Sequence, residues 1–161
     1  TRSTDTCVAV SVGIPPEPFL HPQLLQGLAV RCGPMAAALA KEIFVRDWIA
    51  QQEGVRVMVM GDIGELGSSA AQQHYMLGRD LVSVKGLNFV VAVGEFAPAA
   101  QEGARSTQYG KKMQAFLNQE QALPFLLSLI ETHQPQSMSF LFKGSRYTHM
   151  ETLMADLMEE I

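Results

Sequence analysis

Cysteine is scarce in this chain, which contains Cys7 and Cys32 and no others. Two cysteines are too few for a disulfide framework, and these two do not have the spacing of metal ligands. We therefore expect reduced, partly buried thiols and predict no metal site from the sequence.

Charge is also sparse, and long apolar runs are missing. Charged residues make up 17% of the sequence and the formal net charge is -4, so electrostatics gives no reason to expect nucleic acid as a partner. No apolar run approaches the roughly 20 residues of a membrane span, and no signal-peptide pattern is present. We therefore predict no membrane insertion and a cytoplasmic location. Because the chain begins with Thr1 rather than Met, we also expect a fragment or a processed product.

One stretch, VRVMVMGDIGELG at residues 55–67, has the pattern of a buried strand followed by a glycine-rich turn. Asp62 and Glu65 place two carboxylates in that turn, where ligands collect in open parallel sheets. The turn matches neither GxGxxG nor GxxxxGK[ST], so it predicts neither dinucleotide nor triphosphate binding. An ordinary structural corner is the alternative interpretation. His74, on the helix that follows, is either structural or part of the same polar site.

A second polar corner follows the apolar run SMSFLF at residues 137–142. Lys143, Ser145 and Arg146 come directly after this predicted strand and before a predicted helix. Two cations, a hydroxyl and backbone N–H groups at such a corner suit a carboxylate or a phosphate. A solvated basic turn remains the alternative.

The order of the apolar segments predicts an α/β fold. Strands at 55–60, 87–93 and 137–142 alternate with helices beginning at Pro34, Ser68, Gln119 and Tyr147, and a further short helix fits within residues 96–112. This alternation predicts a mostly parallel sheet in three layers, with both polar corners on one rim. Shorter strands are predicted at 7–12 and 28–31, with a proline-rich loop between them, and a further short strand at 105–109.

The motifs VMGDIGELG, VGEFA and LFKGSR, with His74 and Gly78 between the first two, resemble in order and spacing the C-terminal domain of the Mur ligases. The resemblance covers about residues 34–161, while residues 1–33 align poorly and are assigned to the same domain. It implies a Rossmann-like domain of an enzyme of peptidoglycan synthesis. The branch that adds D-alanyl-D-alanine to UDP-N-acetylmuramoyl-tripeptide is the most similar in these motifs.

The resemblance further implies ATP-dependent amide formation with Mg²⁺ in a full-length, three-domain ligase. Lys143, Ser145 and Arg146 would bind the incoming dipeptide, while Asp62, Glu65 and His74 would organise the cleft. No residue is assigned a catalytic role. Because the P-loop motif is not in this sequence, ATP and Mg²⁺ would bind mainly to other domains, and we expect the isolated chain to be inactive.

The sequence departs from the family before its first helix, where LAVRCGP stands at residues 28–34 in place of the family's DDSYNANP. This departure leaves open a non-catalytic binding or interaction module that keeps the fold without the ligase site. A related folylpolyglutamate-type synthetase domain is a third alternative, which the KGSR corner disfavours.

Overall fold

The computed structural model describes residues 5–12, 30–32, 46, 48–134 and 136–161, and for residues 5–12, 30–32 and 146 it describes the backbone alone. The strands are β1 (Asp5–Val12), β2 (Val30–Cys32), β3 (Val55–Gly61), β4 (Phe89–Val93), β5 (Met113–Phe116) and β6 (Met138–Ser145). The helices are α1 (Ala70–Val82), α2 (Ala97–Arg105), α3 (Gln119–His133) and α4 (Met150–Glu160). The predicted helix from Pro34 and the proline-rich loop fall almost entirely outside the described residues.

The six described strands form one sheet in the order β2-β1-β6-β3-β4-β5. Strands β6, β3, β4 and β5 are parallel to one another, whereas β1 is antiparallel to both β2 and β6. The predicted mostly parallel sheet is confirmed. Its four parallel strands deliver their carboxyl ends to one edge, which is where ligands bind in such sheets.

Helices cover both faces of the sheet and bury two separate apolar clusters. On one face, α1 and α2 pack over Met58, Met60 and Leu141. On the other face, α3 and α4 pack over the alternate residues of the same strands, among them Val57, Val59 and Phe142. Successive strand residues point to opposite faces, so a strand buried on both sides must be apolar at nearly every position. The predicted three-layer, Rossmann-like architecture is confirmed.

Local sequence signals account for α3 and α4. Asn118 caps α3, since its side-chain oxygen accepts a hydrogen bond from Gln121 N at 2.9 Å. In α4, Met150, Leu153 and Leu157 are buried against the sheet, with Met154 and Met158 packed beside them. The methionine-rich stripe is therefore a core face, as its 3–4 residue spacing predicts. Among the described residues, no helix has the length and apolarity needed to span a membrane.

Two strand predictions were wrong in position. Residues 105–109, predicted as a strand, form the end of α2 and the turn after it, and the edge strand is β5 at Met113–Phe116. Strand β6 continues through Ser145 rather than ending at Phe142. The reason β6 extends to Ser145 is that β1 pairs with it along its whole length, up to the pair Asp5↔Ser145. These backbone partners come from a distant part of the chain, so the local sequence does not reveal them.

Candidate functional site

The polar segments that follow β3, β4 and β6 meet at the carboxyl edge of the sheet. We call residues 62–67, 94–96 and 143–149 together the carboxyl rim. Direct backbone contact joins two of its segments, since Ser145 N donates to Asp62 O at 3.0 Å. The two polar corners predicted from sequence therefore lie side by side, which follows from β3 and β6 being adjacent parallel strands.

Asp62 joins the segment after β3 to the segment after β4. Its Oδ2 accepts from Glu95 N at 2.9 Å, its Oδ1 accepts from Phe96 N at 3.0 Å, and the residue is only 5% exposed. A carboxylate that accepts two backbone N–H groups makes charge-assisted bonds, which are stronger than neutral ones. Gly94 permits this approach: its φ is +137°, and a Cβ there would lie 2.6 Å from the Asp62 carboxylate.

His74 ties the same segment to α1. Its Nε2 accepts from Ile63 N at 3.0 Å, and its Nδ1 lies 2.7 Å from Ala70 O. Because Ile63 N can only donate and Ala70 O can only accept, the ring is a neutral imidazole with its proton on Nδ1. The ring also stacks on Phe96, with centroids 4.8 Å apart. His74 is 1% exposed, so it acts on the rim by holding its backbone rather than by facing solvent.

Ser145 and Thr148 hold the segment after β6. Ser145 Oγ accepts from Gly64 N, which connects this segment to the glycine turn. Thr148 Oγ1 donates to Ser145 O at 2.5 Å and closes the 3₁₀ turn Arg146–Thr148. The same hydroxyl would lie 2.8 Å from a Cβ at Gly61 and 2.6 Å from one at Gly144, so the two glycines allow this turn to pack onto the strand ends.

Gln119, at the start of α3, fixes the other side of that turn. Its Nε2 donates to Thr148 O at 2.7 Å and to His149 O at 3.0 Å. His149 has a positive φ of +50°, an uncommon conformation for a residue other than glycine. Sequence reasoning missed Gln119 and Thr148, because a glutamine at a helix start and a threonine in a turn carry no signal of what they contact across the fold.

The remaining predicted site residues divide by exposure. Lys143 is 3% exposed within β6, beside Met58, Met60 and Ile63, whereas Glu65 is exposed and has a φ of +61°. The structure describes the backbone of Arg146 at the first position of the 3₁₀ turn, but its side chain lies outside the described part. The structure thus brings Asp62, His74 and Ser145 into one network and leaves the roles of the other three as predictions.

The network gives the carboxyl rim a fixed shape. Hydrogen bonds from buried side chains connect the segments after β3, β4 and β6, so the three cannot move independently without breaking them. Within the part of the chain that the structure describes, no group of three or more His, Cys, Asp or Glu side chains could hold a metal ion. What the rim can do is present backbone and side-chain donors in a preset arrangement to a ligand.

Comparisons with known proteins support the resemblance noted from the motifs. No family model matches the chain. Two curated relatives are UDP-N-acetylmuramoyl-tripeptide--D-alanyl-D-alanine ligases: one from Buchnera aphidicola, 28% identical over 70% of this chain, and one from Escherichia coli K12, 32% identical over 69% of this chain. The chain covers 23% of the length of each of these relatives.

A solved structure agrees with the sequence matches. The crystal structure of MurF from Acinetobacter baumannii matches with a TM-score of 0.64 and 63% identity, covering 70% of this chain and 23% of that one. An identity this high supports more than a shared fold. The sequence motifs, the sheet and these matches together support a Mur ligase C-terminal domain, similar to that of MurF.

Proposed function

We propose that this chain is the substrate-binding C-terminal domain of an ATP-dependent ligase that adds D-alanyl-D-alanine to UDP-N-acetylmuramoyl-tripeptide in the cytoplasm. Two observations support it together: side-chain hydrogen bonds hold the segments of the carboxyl rim in one arrangement, and the chain is similar to ligases named for that reaction. The domain's own contribution is to bind the incoming dipeptide and to orient its amine toward the activated tripeptide carboxylate.

Within this proposal, the KGSR corner holds the carboxylate of the dipeptide. Arg146 supplies a guanidinium that can bind a carboxylate through two parallel hydrogen bonds. Lys143 adds positive charge beneath the corner, and Ser145 sets its backbone through Gly64. Asp62 and His74 keep the neighbouring segments in place, and Glu65 extends from the exposed side of the glycine turn.

In this proposal, nucleotide and metal chemistry belong to other domains of the full ligase. The sequence of this chain has no P-loop motif, and among its described residues no group of three or more His, Cys, Asp or Glu side chains could hold a metal ion. ATP and Mg²⁺ would therefore be bound mainly by other domains of the full ligase, as would the UDP-N-acetylmuramoyl-tripeptide. The part of this domain in the reaction is binding and orientation.

Calorimetric titration with D-alanyl-D-alanine tests the proposal, with L-alanyl-L-alanine as the stereochemical control. We expect saturable binding of the D,D-dipeptide and much weaker binding of the L,L-dipeptide. Titrations are repeated after the other ligase domains are added, because they could complete the pocket. If neither dipeptide binds under either condition, the ligase assignment fails and the non-catalytic module is favoured.

The Arg146→Ala variant tests the assigned contact. We expect it to abolish measurable dipeptide binding without changing the thermal midpoint, because Arg146 begins a surface turn rather than a core segment. Arg79→Ala is the matched control, since Arg79 is exposed on α1 and lies outside the carboxyl rim. Unchanged affinity in Arg146→Ala would refute the role given to this residue.

A further inference from the structure

A polar groove lies at the opposite end of the sheet from the carboxyl rim. It has a volume of about 440 Å³ and is formed by the end of α2, the turn after it and the start of β5. Helix α2 begins just after the carboxyl end of β4 and runs back along the sheet, so its last turn lies near the amino ends of the parallel strands. Strand β5 begins at the groove, so the groove lies at the amino end of these strands. It is therefore separate from the site described above.

The groove is positively charged although the chain as a whole is acidic. Arg105 and Lys111 line it, and no Asp or Glu does. Arg105 forms an ion pair with Glu102, whose Oε1 lies 3.4 Å from a guanidinium nitrogen, with both side chains more than 60% exposed. An exposed ion pair of this kind contributes little to stability, so a carboxylate of a ligand can readily replace Glu102 beside Arg105. The groove is thus complementary to an acidic ligand.

Three glutamines also line the groove. Gln101, Gln108 and Gln114 make no side-chain hydrogen bond to any residue that the structure describes, and Lys111 makes neither a hydrogen bond nor an ion pair there. A glutamine amide both donates and accepts hydrogen bonds, as a peptide group does. A free phosphate, which at neutral pH is mainly an acceptor, would use only half of that capacity. The lining suits a peptide better than an inorganic anion.

The strand beside the groove has an open edge. Among the strands that the structure describes, β5 is last in the sheet and pairs only with β4. Phe116 faces β4, because its carbonyl accepts from Gly94 N at 2.9 Å. Alternation along a strand then points the backbone N–H and C=O of Ala115 away from the sheet. An exposed edge of this kind can accept an added strand.

We propose that this groove binds an acidic, extended peptide segment of a partner protein. The segment would pair with the open backbone of β5 at Ala115 and place carboxylates beside Arg105 and Lys111. The glutamine amides would bind its peptide groups. This site is independent of the proposed ligase function, since it shares no residue with the carboxyl rim.

Titration of the isotope-labelled protein with the capped peptide Ac-Glu-Val-Glu-Val-Glu-NH₂ tests the proposal. Its alternating sequence places the carboxylates on one face of an extended strand. We expect saturable shifts of the backbone amide signals of Gln108, Lys111 and Ala115, and weaker binding at higher salt. The matched peptide Ac-Lys-Val-Lys-Val-Lys-NH₂ should not bind. Absence of saturable binding by the acidic peptide would overturn the proposal.

Two double variants separate the groove from general charge attraction. Replacing Arg105 and Lys111 by glutamine should weaken binding about fivefold, as expected for the loss of two exposed charge pairs. Replacing Arg79 and Lys85 by glutamine makes the same charge change outside the groove and should leave affinity unchanged. Equal loss in both variants would refute the site. Inorganic phosphate that binds the groove as tightly as the peptide would also refute it, in favour of a small-anion site.

Discussion

Replacing Asp62 by asparagine should destabilise the protein strongly, although the two side chains have almost the same shape. The Asp62 carboxylate is 5% exposed and accepts two backbone hydrogen bonds, from Glu95 N and Phe96 N. Asparagine has one acceptor oxygen and an NH₂ group that can only donate. One backbone N–H would therefore face another donor, and the remaining bond would lose its charge assistance.

The size of the effect follows from these two bonds. A hydrogen bond to a charged group contributes about 1.5–3 kcal/mol, and a buried donor left without a partner costs about 1–3 kcal/mol. Because these two figures describe partly the same loss, we expect Asp62→Asn to lower the free energy of unfolding by about 2–4 kcal/mol. At about 2–4 °C per kcal/mol for a domain of this size, the thermal midpoint should fall by about 4–16 °C.

Urea denaturation followed by circular dichroism measures this change, with thermal melting as a second assay. Glu95→Gln is the matched control, because it makes the same acid-to-amide replacement on an exposed side chain at the same rim. Its free energy of unfolding should remain within about 0.5 kcal/mol of that of the wild type. If Asp62→Asn and Glu95→Gln shift the midpoint equally, the carboxylate does not hold the two segments together and the argument fails.

Three further substitutions test other parts of the structure. Gly103→Ala should lower the free energy of unfolding, measured in urea, by at least about 1–3 kcal/mol, because the added Cβ would lie 1.8 Å from Tyr75 O at the α1–α2 crossing. Gly67→Ala is the control, since Gly67 has open space around it; its positive φ of +57° alone should cost about 1–2 kcal/mol. His74→Phe keeps a ring beside Phe96 but leaves Ile63 N unpaired, so its thermal midpoint should fall by more than that of His133→Phe, whose imidazole bonds to Leu129 O on its own helix; equal changes would contradict the role of His74. Gln119→Met removes the hydrogen bonds to Thr148 O and His149 O, so it should lower the free energy of unfolding by about 1–3 kcal/mol and weaken dipeptide binding. Gln134→Met, on an exposed turn, should change neither property.

Most elements of the described fold were predictable because their signals are local. The bounds of α3 at Gln119–His133 follow from the Asn118 cap and the apolar periodicity, and β3 follows from its apolar run. Strand β5 was not predictable in this way, since Met113–Phe116 has only four residues and Gln114 interrupts its apolar pattern. Its strand conformation depends on pairing with β4, a contact made by residues more than twenty positions away.

For the candidate site, the sequence indicated Asp62, His74 and Ser145 but not what they contact. Their proximity to glycine turns at strand ends was sufficient to place them at one rim. Their actual partners are backbone groups: the amides of Glu95 and Phe96 for Asp62, and the amide of Ile63 for His74. Every residue but proline carries such an amide, so no residue type marks it as a partner.

The sequence by itself determined the α/β class, the strands β3, β4 and β6 of the parallel core and the two polar corners, because turn chemistry and apolar periodicity act over a few residues. Only the tertiary structure decided that β6 continues through Ser145, that Gln119 holds the turn at Thr148, and that a basic groove lies beside β5. These features arise from contacts between segments distant in the chain. Their geometry is set by how the layers pack.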